Sequence, residues 1–156
     1  MIVIFGYGNA ACGDDGLGVA AAELLCDRVM SQQVEIVQAH QLLPEHVIHL
    51  AQADQAIFID ARANSGQAGA LEVVMLRPRA VAPHGVFTHH QTPESLLALC
   101  QDLYERAPRA VLFTVCGQNF SLGQGFSAAV QSSLPRLVDA VLTLLGEPAT
   151  HSERQR

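Results

Sequence analysis

The sequence has no block of lysine or arginine. Nine basic residues are scattered among fifteen acidic ones, and the formal net charge is -6. Phosphate backbones require a basic surface, so a nucleic-acid partner is disfavoured. Cysteine is sparse too. The four, at 12, 26, 100 and 116, include no Cys-x-x-Cys pair, which removes the zinc knuckle and the dithiol redox site and fits reduced thiols in the cytoplasm. No apolar run approaches the roughly 20 residues of a membrane helix, so no membrane insertion is expected. The opening "MIVIF" has no charged segment before it and is too short for a signal peptide. Two protease signatures are also missing, the Gly-x-Ser-x-Gly elbow and the His-Glu-x-x-His helix.

What is present suits one domain. The length is 156 residues and hydrophobic types make up 49%, enough for a substantial core. Residues 1–146 read as a single α/β domain, and 147–156 ("EPATHSERQR") as a flexible polar tail. Strands are expected at Ile2–Phe5, Val34–Ala39, Ala56–Asp60, Ala70–Leu76 and Ala110–Val115. Helical spacing of apolar residues marks Gly16–Val29, with a short helix from Pro44 to Ala51. A further helix runs to Tyr104, with Thr92 as its N-cap and Pro93 in its first turn. The last spans Ser127–Leu145, where Pro135 predicts a kink or a break. Strands alternating with helices imply a three-layer α/β fold: a mostly parallel twisted sheet of about five strands with helices on both faces. Ligands of such folds sit beyond the C-terminal strand ends. Asp14 and Asp15 follow the first strand, Asp60 ends the third, and His89 and His90 precede the third long helix, so all can converge on one rim.

The stretch "FGYGNAACGDDGLGV" invites comparison with a dinucleotide turn. Its glycines, Gly6, Gly8 and Gly13, do not follow Gly-x-Gly-x-x-Gly, no Gly-Lys-Ser/Thr follows, and two carboxylates at a helix entrance repel pyrophosphate. One aspartate suffices to cap the helix and match its dipole. The second is left for the rim, where a carboxylate beside imidazole suits a borderline divalent metal. Asp60 is either a loop cap or a functional acid, because an acid ending the run "AIFI" is costly if buried alone. The histidine pair is either surface or ligand. Cys116 is either a small buried strand residue or a nucleophile paired with His89. His40 is a further rim candidate.

"FGYGN…GDDGLGV", then "IDA", then "THHQTPESLL", resembles the hydrogenase maturation endopeptidases, the nickel-dependent proteases that trim the large subunit of [NiFe]-hydrogenases. The resemblance runs from Ile2 to about Leu145. It takes in "GQNFSLGQGFSAAV", similar to that family's Gly-x-x-Phe-x-x-Gly segment. By this resemblance the metal-contacting side chains are Asp15, Asp60 and a histidine. Counting back from Thr92-Pro93 gives His89, and counting forward from Phe87 gives His90. "AHQLLPEHV" resembles the His-Gln-Leu variant of members serving bidirectional, pyridine-nucleotide-coupled hydrogenases, which implicates Gln41 and Leu42 in substrate choice.

The resemblance implies that the acids face a cation. Nickel already inserted in the large-subunit precursor is recognised by Asp15, Asp60 and His89, and the precursor's C-terminal extension is then cut. The attacking group is left open; one route is water activated by metal or carboxylate, with Asp15 or Asp60 as base. Three ligands without a thiolate make a loose site, so no tightly bound cofactor is expected in the free protein. Two rivals remain: a nickel-sensing chaperone of the same subunit that does not cleave, and a nucleotide-binding α/β protein.

Overall fold

A computed structural model of the chain describes residues 1–63, 66–80 and 91–148. Among the described residues nine principal elements follow one another: β1 (Ile2–Tyr7), α1 (Leu17–Cys26), β2 (Val34–Ala39), α2 (Val47–Gln52), β3 (Gln55–Arg62), β4 (Leu71–Leu76), α3 (Pro93–Tyr104), β5 (Arg109–Cys116) and α4 (Ala128–Leu145). Short 3-10 turns at Gly13–Gly16 and Pro44–His46 lead into α1 and α2.

The five strands form one sheet in the order β2-β1-β3-β5-β4. The pairs β1–β2, β1–β3 and β3–β5 are parallel, while β4 lies antiparallel against β5. This is the mixed α/β sheet that the alternation of elements implies. The connection from β3 to β4 contains no helix among its described residues, so the chain reverses without the crossover that a parallel neighbour demands. From β1 the chain moves outward to β2, then returns to the other side of β1 as β3. The strand order therefore reverses between β1 and β3, and a crevice opens at their carboxyl ends.

Side chains alternate across the sheet with period two. Ile4, Ile57, Ile59, Phe113 and Val115 pack under α1 and α4. Val3, Phe5, Tyr7, Ala56 and Phe58 pack under α2 and α3. The rings of Phe5 and Phe58 stack across β1 and β3 at 5.1 Å between centroids and 12° between planes. Helix α1 sits unusually close to the sheet, because a Cβ on Gly18 would stand 2.4 Å from the carbonyl oxygens of both Ile59 and Tyr7.

The helix boundaries have local causes. Thr92 Oγ1 accepts the Ser95 amide and Ser95 Oγ accepts the Thr92 amide, so α3 begins with a reciprocal cap and Pro93 in its first turn. Helix α4 runs through Pro135 without a break. Its 18 residues reach a mean hydropathy of 1.2, enough by length and composition to cross a membrane. Here Val130, Leu137, Val138, Val141 and Leu142 instead close the core on one face of the sheet. Beyond α4, Gly146 adopts φ 74° and Glu147 still donates its amide to the Leu142 carbonyl, so the helix stop extends into the segment read as tail. Residues 149–156 of that segment, and the loop carrying His84, His89 and His90, lie outside the described residues.

Candidate active site at the carboxyl ends of β1 and β3

The turn after β1 is built around Gly8, Asn9 and the two aspartates. Gly8 has φ 139°, and a Cβ there would stand 2.0 Å from the Asp15 carbonyl oxygen, so only glycine fits. Asn9 Oδ1 accepts the Ala11 amide at 3.0 Å, and the Asn9 carbonyl accepts the Cys12 amide. This brings the 3-10 turn Gly13–Gly16 back over the end of β1.

The adjacent aspartates have different fates. Asp14 is fully buried. Its Oδ2 accepts the amides of Gln118 and Asn119 at 2.7 and 3.0 Å and the Ser127 hydroxyl at 2.8 Å. Its Oδ1 accepts the Ser127 amide at 2.7 Å. Burial opposes its ionisation, but these hydrogen bonds outweigh it and hold the carboxyl below its ordinary value. The Asp14 amide also donates to the Asn119 carbonyl, and the Gly123 amide to the Ala11 carbonyl. Asp14 thus clamps the glycine-rich loop after β5 onto the first turn. It does not cap α1, whose N-terminus shows no side-chain cap.

Asp15 is half-buried, and its Oδ2 accepts the Asn9 amide at 2.7 Å. It lines a cavity of about 260 Å³ together with Tyr7, Gly8, Asn9, His40, Gln41, Leu42, Asp60 and Gln91. The sequence-derived residues Asp15, Asp60, Gln41 and Leu42 therefore share one wall system, although they come from separate segments. The Leu42 side chain is itself buried in the core under α2 and α3, with Gln41 at its edge. The Leu42 carbonyl accepts the Gln91 amide, and Gln91 Oε1 accepts the Ser95 hydroxyl, so the entrance to α3 is tied to this wall.

Asp60 Oδ1 accepts the amide of Ala61 at 2.8 Å. Burial pushes its pKa up to about 7, the negative charge of Asp15 pushes the same way, and hydrogen bonds from Ala61 and the Tyr7 hydroxyl oppose the rise. At neutral pH this carboxyl is poised between its two protonation states, as an acid–base group in a cleft should be. Tyr7 is largely buried, and its own pKa is raised well above the ordinary value by burial and by Asp60. Inspection for metal-ligand and acid patterns passes over Tyr7; β1 extends two residues past the expected Phe5, so Val3, Phe5 and Tyr7 share a face with Phe58 and Asp60.

Among the described residues, no three of His, Cys, Asp and Glu gather closely enough to hold a metal ion. The candidate histidines 89 and 90 lie outside those residues, while Gln91, next in sequence, lines the cavity. Exposed His40 lines it as well. All four cysteines are free thiols, and Cys116 is buried at the end of β5.

No protein-family model matches the sequence, and neither does any curated protein. Solved structures do. The hydrogenase maturating endopeptidase HybD of E. coli superposes with a TM-score of 0.77 at 20% identity, over 93% of this chain and 91% of that one. The [NiFe] hydrogenase maturation protease HycI of Thermococcus kodakarensis KOD1 gives 0.74 at 25% identity, over 94% and 92%. A hydrogenase 2 maturation peptidase from the Thaumarchaeota archaeon SCGC_AB-539-E09 gives 0.68 at 20% identity, over 93% and 97%. Over more than nine-tenths of its length, this chain carries the fold of the hydrogenase maturation endopeptidases.

Proposed function

We propose that this chain is an endopeptidase that removes the C-terminal extension of a [NiFe]-hydrogenase large-subunit precursor once nickel has been inserted. The observation that carries the reading is the placement of Asp15 and Asp60 on one cavity at the strand-order switch, where burial pushes the Asp60 pKa up to about 7. Two carboxylates lining one buried cleft repel each other and favour a proton or a cation between them. That environment suits nickel presented by the client and opposes a phosphate, which disfavours the nucleotide-binding alternative.

The donors fit a first-row divalent ion, with two carboxylate oxygens completed by an imidazole from His89, or from His90 in its place. The nickel belongs to the substrate, and the free protein holds no tightly bound cofactor on this reading. Asp15, held by the Asn9 amide, supplies fixed negative charge. Asp60, whose pKa burial pushes up to about 7, is the better general base for the attacking water. Gln41, carried beside the buried Leu42, forms with it the part of the wall that faces the precursor, and the His-Gln-Leu stretch favours a bidirectional, NAD(P)-coupled hydrogenase as the client. The cytoplasm, where the precursor matures, is the proposed compartment.

The test is to incubate the protein with nickel-loaded and nickel-free precursor and follow the precursor's mass. Loss of a C-terminal peptide from the loaded form alone is expected. A stable complex that never cleaves identifies a chaperone instead.

A further inference from the structure

Tyr7 occupies the last position of β1. In the β1–β3 register Phe5 stands opposite Phe58 and Gly6 opposite Ile59, so the next step sets Tyr7 beside Asp60 on the same face of the sheet. Its ring belongs to the core cluster with Val3, Phe5, Leu42 and Phe58. Tyr7 and Asp60 line the same cavity, which brings the phenol within reach of the Asp60 carboxyl. The Ala61 amide donates to Asp60 Oδ1. The sheet thus offers Asp60 one donor from the backbone and, beside it, a hydroxyl on a side chain fixed by packing.

A carboxylate held by one donor still swings about its terminal torsion, which is broad and two-fold. A second donor in a rigid core removes that freedom. We propose that Tyr7 is a positioning residue of the cleavage site, its hydroxyl orienting Asp60 so that a free lone pair faces the cavity where substrate arrives. This rests on the protease reading above. The ring alone would serve the core equally well as phenylalanine, so the hydroxyl is the informative atom. A few tenths of an ångström at a reacting group are enough to matter, because catalysis depends on near-attack geometry.

The experiment is Tyr7→Phe, with two readouts. In single-turnover and steady-state processing of nickel-loaded precursor, kcat is expected to fall about tenfold or more while KM changes by less than about twofold. A merely structural role would spare kcat or move both together. In parallel, the Asp60 Cγ resonance of the free wild-type protein and of the variant is recorded in light and heavy water. The Ala61 amide contributes a deuterium isotope shift to both, and a larger shift is expected in wild type from the Tyr7 hydroxyl. Unchanged kcat in Tyr7→Phe, or an isotope shift of equal size in wild type and variant, overturns the proposal. If wild type leaves loaded precursor intact, the protease reading fails instead, and the isotope shift still decides whether Tyr7 holds Asp60.

Discussion

Asp14→Asn is the sharpest perturbation of the fold, because the change is isosteric and the partners are known. The carboxylate takes four donors, three on Oδ2 and one on Oδ1. A carboxamide keeps one acceptor oxygen. Its better orientation leaves that oxygen on the three donors and turns the NH2 group against the Ser127 amide. One bond is then lost with a buried donor unpaired, and three charge-assisted bonds become neutral. Hydrogen bonds to charged groups are worth about 1.5–3 kcal/mol each, roughly twice neutral ones, so the net cost is at least about 4 kcal/mol. With a urea m-value of about 2 kcal/mol/M, the unfolding midpoint should drop by at least about 2 M. The acid side provides a second check. Since the folded-state pKa of Asp14 lies below its ordinary value of 3.8, its stabilisation is complete above that value. It is lost as pH falls through the lower folded-state value, and Asp14→Asn should abolish this part of the acid limb. Urea unfolding followed by circular dichroism measures both. A variant within about 0.5 kcal/mol of wild type would refute the clamp.

Asp60→Asn should abolish precursor processing in the mass assay yet be more stable than wild type at pH 8 by about 2–4 kcal/mol in urea unfolding. A raised folded-state pKa makes an acid destabilising progressively between its ordinary value of 3.8 and about 7. Equal stability at pH 8 would mean that the carboxyl is not strained by burial. Gly18→Ala should cost about 2–4 kcal/mol by thermal or urea unfolding, since its methyl would meet two backbone carbonyls that cannot move independently. A neutral result would show that α1 can lift from the sheet.

The strands, their order along the chain and the cap of α3 were legible because each has a local cause. Thr92, Pro93 and Ser95 carry their boundary in the residues themselves, and β2 is bounded by its alternation. The reversal of β4 was not legible, since strand direction depends on which neighbour the chain finds. Pro135 predicts a kink or a break, and the break does not occur: burial of Val130, Leu137 and Val138 holds α4 continuous. At the site, the aspartates were found by motif, but the division of labour between Asp14 and Asp15 depends on a loop more than 100 residues away in sequence. The cap expected from one of the pair does not form, because Asp14 turns to the late loop and the N-terminus of α1 has no side-chain cap. Tyr7 escapes the sequence reading because the first strand is expected to stop at Phe5, whereas β1 runs on to Tyr7, and its hydroxyl gains meaning only from the register with β3.

The crevice between β1 and β3 has a consequence for biosynthesis. Its lining is drawn from residues 7–9, 15, 40–42, 60 and 91, and its floor is locked by a clamp reaching Ser127. No fragment emerging from the ribosome owns a finished cleft until the late loop has been translated and has closed on Asp14. The clamp is thus the last part of the site to form, and a nick between Gly117 and Ser127 is expected to loosen it.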